Sequence, residues 1–117
     1  MSRNRRLEPS PETTAFKAVV VHFHPEAAHR QAFLKAVEQA LQCPTPYEII
    51  AVSAGFDRHE EDWGGLLATE DYRAIGKMVK EHALRRCQGR RFGVLEGGYN
   101  HAVLGRNLAS FLEGLSD

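Results

Sequence analysis

Two short segments of the sequence end apolar runs in residues that could do chemistry. At 53–57, Ser-Ala-Gly-Phe-Asp places the carboxylate of Asp57 just past an apolar, β-branched stretch. Asp is a poor strand residue, and Gly55 before it opens backbone conformations closed to other residues. Such a carboxylate can ligate a metal or handle a proton; the competing reading is an Asp that caps a turn. At 95–100, Leu-Glu-Gly-Gly-Tyr-Asn repeats the arrangement. Gly97 and Gly98 allow a tight turn at a strand end and set Tyr99 at the mouth of the site. A phenol there can donate a hydrogen bond to a developing oxyanion without ionising; alternatively the tyrosine is packed and its hydroxyl meets a backbone carbonyl. His22 and His24, two apart on an extended run, share a face. Together with Asp57 they would form a sensible zinc set. The preferred reading makes His24 a helix cap and His22 a surface or core histidine, since paired histidines at strand ends outnumber the metal sites they make.

These residues need elements to bring them to one place, and the chain alternates cleanly from residue 18. The β-branched run 18–23 predicts a strand, after which His24, Pro25 and Glu26 open a helix, with Pro25 where its missing N–H costs nothing. Phe33, Val37 and Leu41 give that helix an apolar face, and the Cys-Pro-Thr-Pro run at 43–46 stops it. A second strand is predicted at 48–53, apolar on consecutive positions and therefore buried on both faces. A Gly- and acid-rich loop runs from 54 to 68. Thr69 is the expected N-cap of the next helix, with Glu70 and Asp71 in its first turn and a buried stripe of Ile75, Met78, Val79 and His82. Gly89 ends that segment, 92–95 is the third strand, and Leu104, Leu108, Phe111, Leu112 and Leu115 line the last helix. His29, His82 and His101 fall at helical positions with no visible partner. Arg85, Arg86, Arg90 and Arg91 form a basic run expected to be a solvated face.

The order β-α-β-α-β-α, with crossovers this long, predicts an α/β fold with parallel strands in right-handed units. Ligands of such sheets bind at the carboxyl ends of the strands. His22 and His24, Asp57, and Gly97 to Tyr99 all fall on that edge.

Composition bounds the rest. The chain has 117 residues, 43% of them hydrophobic, which suits one globular domain or a piece of one and excludes a disordered chain. Fifteen basic and fifteen acidic residues give a formal net charge of zero, which argues against direct nucleic-acid or anionic-membrane binding and leaves self-association easy. Cys43 and Cys87 form no CxxC pair and read as reduced thiols in a cytoplasmic protein. No apolar run approaches the ~18 residues that span a bilayer, and the basic N-terminus is followed by polar residues where a signal peptide needs an apolar stretch. Residues 1–15, including Arg3, Arg5 and Arg6, are expected to be a flexible basic arm, leaving 16–117 as the α/β domain.

Taken together, Ser-Ala-Gly-Phe-Asp at 53–57 and Leu-Glu-Gly-Gly-Tyr-Asn at 95–100 resemble the last two signature segments of the zinc-dependent histone deacetylase and acetylpolyamine amidohydrolase family. The stretch between matches too, at Asp62, at Gly64, Gly65 and Leu66, and from Thr69 to Tyr72. The resemblance runs from about residue 18 to 115. It implies the C-terminal part of a three-layer α/β/α, arginase/deacetylase-like fold. It also implies that Asp57 is the carboxylate ligand of a catalytic zinc, that Tyr99 hydrogen-bonds the substrate carbonyl and then the oxyanion, and that Gly97 and Gly98 shape the adjoining wall. A Pro-Leu frequent in the family is replaced here at Trp63, so Trp63 either lines the substrate entrance or packs on the loop. The family's Asp-x-His ligand segment and its paired histidines lie upstream of this stretch and are missing. The Asp-x-His at 57–59 sits in the later motif, so His59 is not taken as a ligand.

The expectation is therefore a C-terminal deacetylase segment. The whole enzyme, a hydrolase, would cleave N-acetyl amides of lysine or polyamines. This chain alone would bind zinc weakly or not at all and would be inactive, its partner being the missing N-terminal half or a second copy in a homodimer. The alternative is a stand-alone, non-catalytic α/β module that binds a partner or small ligand at the same strand edge.

Overall fold

The computed structural model of the protein describes residues 29–116. The arm at 1–15, the strand predicted at 18–23, and His22 and His24 lie outside these residues. The order within them is α1 (Arg30–Leu41), β1 (Ile50–Gly55), a single 3-10 turn (Phe56–Arg58), α2 (Thr69–Arg86), β2 (Arg91–Glu96) and α3 (His101–Leu115).

The two strands pair in parallel, with Ile50 opposite Arg91 and Gly55 opposite Glu96. A parallel pair needs a long crossover, and α2 supplies it. Both strands therefore end at one edge, where the Asp57 turn and the Gly97–Gly98 turn begin. The chain is thus of the α/β class with parallel strands. Both strands run one or two residues beyond their predicted ends.

One core joins the three helices to one face of the sheet. It contains Val37 of α1, Ala54 of β1, Phe56 of the turn, Leu67 of the loop before α2, Tyr72 and Ile75 of α2, and Phe111 of α3. Gly93 of β2 lies beneath the Phe111 ring, so close that a Cβ there would stand 3.1 Å from Cε2. The opposite face differs from expectation. Burial alternates along β1, whereas β2 is exposed from Phe92 to Glu96, with Phe92, Val94 and Leu95 each about half exposed, so among the described residues β1 is covered on one face and β2 lies largely open. The helix layer expected on the far side is not among these residues.

Local details depart from the sequence reading for identifiable reasons. Within the described residues α1 runs from Arg30, with His29 extended before it and its Nδ1 accepting the Ala32 N–H at 3.2 Å; the opening expected at 24–26 lies outside the described residues. The N-cap of α2 is Ala68, not Thr69; the Ala68 N–H is taken by Asp71 Oδ2 at 2.8 Å, which frees the Thr69 hydroxyl for use elsewhere. Asp71 also accepts two hydrogen bonds from Arg30, at 2.7 and 2.9 Å, pinning α1 to α2. His82 is buried and acquires a partner, Glu38 of α1, at 2.5 Å. In α3 Leu112 is 46% exposed, and the deepest positions are Val103, Asn107, Ser110, Phe111 and Gly114.

The basic run is a solvated face only in part, since Arg85 and Arg90 are exposed while Arg86 and Arg91 are half-buried. Arg86 donates to the carbonyls of Leu41 and Cys43 at 2.6 and 2.7 Å and lies over the Tyr47 ring at 4.2 Å. Arg90 and Arg91 bind the carbonyls of Glu48 and Leu115 at 2.6 and 2.8 Å. Three of the four arginines thus bind carbonyls at helix ends and in the connection between α1 and β1, the forked guanidinium meeting carbonyls that no helix or sheet satisfies.

Candidate functional site

The Asp57 turn is anchored by its neighbour. Phe56 is 1% exposed and packs on Tyr72 (centroids 4.9 Å apart) and edge-on to Phe111 (6.0 Å). With Phe56 driven inward, the next side chain emerges beyond the strand end. The Tyr72 hydroxyl donates to the Gly55 carbonyl at 3.1 Å, fastening α2 to the same corner. The loop then folds back on the turn, since Gly64 N–H donates to the Asp57 carbonyl at 2.6 Å and Leu67 N–H to the Arg58 carbonyl at 2.7 Å.

On the neighbouring strand Gly97 and Gly98 adopt φ of +76° and +122°, where only glycine sits without strain. Space is also decisive at Gly98, where a Cβ would meet Leu104 Cδ1 at 2.6 Å and Phe56 Cβ at 3.1 Å. Gly97 separates the two groups singled out from the sequence. A Cβ on it would stand 3.5 Å from the Tyr99 hydroxyl oxygen, 3.5 Å from Asp57 Cγ and 3.6 Å from Asp57 Oδ2. Carboxylate and phenol therefore converge on one small gap that glycine leaves open. Asp57 is half-buried, and among the described residues its carboxylate forms no hydrogen bond or ion pair.

Trp63 lies against Tyr99, with ring centroids 4.9 Å apart and planes at 30°. Both are open to solvent, Trp63 at 84% and Tyr99 at 55%. With Glu61, Asp62, Asn100 and His101 the pair lines an open depression of about 520 Å³. Neither Asp57 nor Gly97 lines it, so the gap between carboxylate and phenol lies outside it.

Sequence reasoning missed the residues that hold these loops. Asp62 Oδ2 accepts the N–H groups of Tyr99 and Asn100 at 2.9 and 3.0 Å, and Oδ1 accepts the Trp63 N–H at 2.7 Å. The Asn100 N–H, then burial acting in the opposite sense, then the Tyr99 N–H set the balance that holds the Asp62 carboxyl below its ordinary range. Asn100 caps α3 through Ala102 N–H and donates to the Glu61 carbonyl at 2.6 Å. Asn just before a helical pattern is a favoured N-cap, and that signal was there to be read. Beneath the loop His59, 1% exposed, accepts the Glu61 N–H on Nδ1. Its Nε2 then carries the proton toward the Thr69 hydroxyl at 3.1 Å, which donates to Asn107 Oδ1 at 2.7 Å. His59 is thus committed inside the fold. Among the described residues no three His, Cys, Asp or Glu side chains converge.

With this geometry in hand, comparison with known proteins decides the family. The histone deacetylase domain profile matches residues 11–115, nearly the whole sequence. The chain belongs to the histone deacetylase family. Type-2 histone deacetylase 2 of Dictyostelium discoideum is 43% identical over 75 residues, which is 62% of this chain and 4% of that protein. Type-2 histone deacetylase 1 of the same organism is 37% identical over 90 residues, 74% of this chain and 6% of the relative. Histone deacetylase 10, chloroplastic, of Oryza sativa subsp. japonica is 38% identical over 84 residues, 70% of this chain and 19% of the relative. This deacetylase-family chain therefore spans less than a fifth of the length of the curated relatives it matches. Its two turn motifs and the loop joining them lie inside the matched region.

Proposed function

We propose that the chain is the C-terminal segment of a zinc-dependent deacetylase that hydrolyses N-acetyl amides of lysine or polyamines, and that it is inactive without the remainder of the domain. The observation that supports this reading is the convergence of the Asp57 carboxylate and the Tyr99 phenol across Gly97. In the complete site Asp57 supplies one metal-ligating carboxylate. Tyr99 donates its proton in a hydrogen bond that strengthens as the substrate carbonyl oxygen gains charge. Among the described residues Asp57 stands without further ligands beside it, and that is the reason for proposing inactivity, since a catalytic zinc takes three protein ligands and an open position. The sheet face beside Ile49, Phe92 and Val94, open among the described residues, is where the N-terminal half, or a second copy of the chain, would dock. The two free thiols favour a reducing, cytoplasmic setting.

The test is to supply an N-terminal deacetylase half in cis or in trans and measure hydrolysis of an acetyl-lysine or acetylpolyamine substrate. Tyr99→Phe should then lower kcat far more than it changes KM, a loss of roughly 3–4 kcal/mol of transition-state stabilisation. Equal kcat for variant and parent would remove Tyr99 from the mechanism. The same isolated carboxylate favours a second reading, a non-catalytic module that binds a partner or small ligand at the strand edge. Translating the DNA upstream of the first codon in all frames separates the two, because adjoining Asp-x-His and His-His segments belong only to an interrupted enzyme.

A further inference from the structure

We propose that Asp62 is the positioning residue of this site, its carboxylate tying the Tyr99–Asn100 backbone to the Trp63 loop and so holding the Tyr99 phenol across Gly97 from Asp57. The inference rests on the reading of Tyr99 as the oxyanion donor and adds what fixes that donor in place.

Tyr99 follows two glycines with positive φ, the least restrained backbone a chain can have. Its ring is more than half exposed, so burial does not fix it either. The N–H groups of Tyr99 and Asn100 precede the first turn of α3, where no intrahelical carbonyl is available to them. Asp62 Oδ2 accepts both, at 2.9 and 3.0 Å, while Oδ1 accepts the Trp63 N–H at 2.7 Å. Hydrogen bonds to an ionised acceptor are about twice as strong as neutral ones, and here three share one carboxylate. The Asn100 side chain adds a parallel link to the Glu61 carbonyl at 2.6 Å. With the two backbones clasped, the Trp63 ring is laid on the Tyr99 ring at 4.9 Å. One short acidic side chain thus sets both aromatic residues. The charged and titratable groups facing it are His59 and Glu61 from its own loop, Tyr72 from α2 and His101 beside it at the start of α3, with Arg106 of α3 paired to Glu61 at 3.7 Å.

The experiment is amide hydrogen exchange by NMR on the ¹⁵N-labelled, 117-residue chain, comparing the parent with Asp62→Ala and Asp62→Asn. Exchange at Tyr99 and Asn100 should accelerate about tenfold or more in Asp62→Ala, while Asn107 and Phe111 in the buried part of α3 stay unchanged. Asp62→Asn should fall between, because its one amide oxygen can keep only one side of the clasp. In the parent, the amide proton shifts of Trp63, Tyr99 and Asn100 should follow a single acid titration that is absent from both variants. Should the alanine variant not fold, the parent titration and the asparagine variant decide. Unchanged exchange at Tyr99 and Asn100, a loss spread evenly along α3, or three independent titrations would overturn the proposal. None of these measurements reads turnover. A failed clasp therefore leaves the role of Tyr99 standing, and a null result for Tyr99→Phe leaves the clasp standing.

Discussion

Gly114→Ala should destabilise the chain by about 2 kcal/mol or more, although helix propensity alone gives the opposite sign. Gly to Ala in a helix interior gains about 1 kcal/mol when nothing else changes. At 114 something does change, because α2 and α3 cross with their backbones in contact. A Cβ there would stand 2.0 Å from the Arg73 carbonyl oxygen and 2.8 Å from Lys77 N, and one on Gly76 would stand 2.3 Å from the Phe111 carbonyl oxygen. These neighbours are backbone atoms, which no rotamer change moves aside, so the helices must separate and loosen the packing around Ile75 and Phe111. Overpacking of this kind costs about 1–3 kcal/mol and sometimes more, which outweighs the propensity gain. Gly105 is the internal control. It lies in the same helix, is exposed, and has nothing within 4 Å of its Cβ position, so Gly105→Ala should stabilise by about 0.5–1 kcal/mol. Urea unfolding followed by far-UV circular dichroism and by emission of Trp63, the one tryptophan of the sequence, reads both variants. With a slope of about 1–3 kcal/mol per molar urea, the midpoint should fall by roughly 1 M for Gly114→Ala and rise by a few tenths for Gly105→Ala. A Gly114→Ala midpoint at or above the parent's would refute the backbone contact.

The purified chain should hold little zinc by elemental analysis. Stoichiometric zinc lost in both Asp57→Ala and His22→Ala would instead establish a site of the chain's own, whereas zinc persisting in both would be adventitious. Stability should fall at both ends of the pH scale. Burial, then the charge of Asp57, raises the Tyr72 phenol above its ordinary value, so its contribution is complete below the unfolded value near ~10 and is lost as pH rises toward the folded one. Urea midpoints measured across that range should drop more steeply in the parent than in Tyr72→Phe. Asp62 is shifted downward, so its contribution is complete above the unfolded value near ~4 and is lost as pH falls through the folded one. Asp62→Asn should flatten that acid limb. Finally, the sheet face left open among the described residues predicts a homodimer at moderate concentration, and light scattering that shows a clean monomer at high concentration would count against it.

The sequence by itself determined the succession of elements and the edge at which the chemistry gathers. β-Branched runs, 3.6-residue apolar periodicity and Pro or Gly punctuation are local signals, and they placed β2 to within a residue of its bounds, α2 to within a residue of its start and three of its end, and the apolar stripe of α3 inside that helix. The two turn motifs were legible for the same reason, since Gly97 and Gly98 are glycines because their own φ values require it. What the tertiary structure alone decided was every pairing between distant segments. Nothing local distinguishes Asp62, which clasps Tyr99 and Asn100, from its exposed neighbours Glu60 and Glu61. Likewise, nothing in a run of arginines says that Arg86 will reach the end of α1 while Arg85 remains in solvent. His82 and Glu38, or Gly76 and Gly114, meet because two helices cross at one angle and one depth. Burial of the strands went astray for a related reason. An apolar run records that a strand can be covered on both faces, whereas the cover itself is supplied by elements elsewhere, and among the described residues β1 has it on one face while β2 lies largely open.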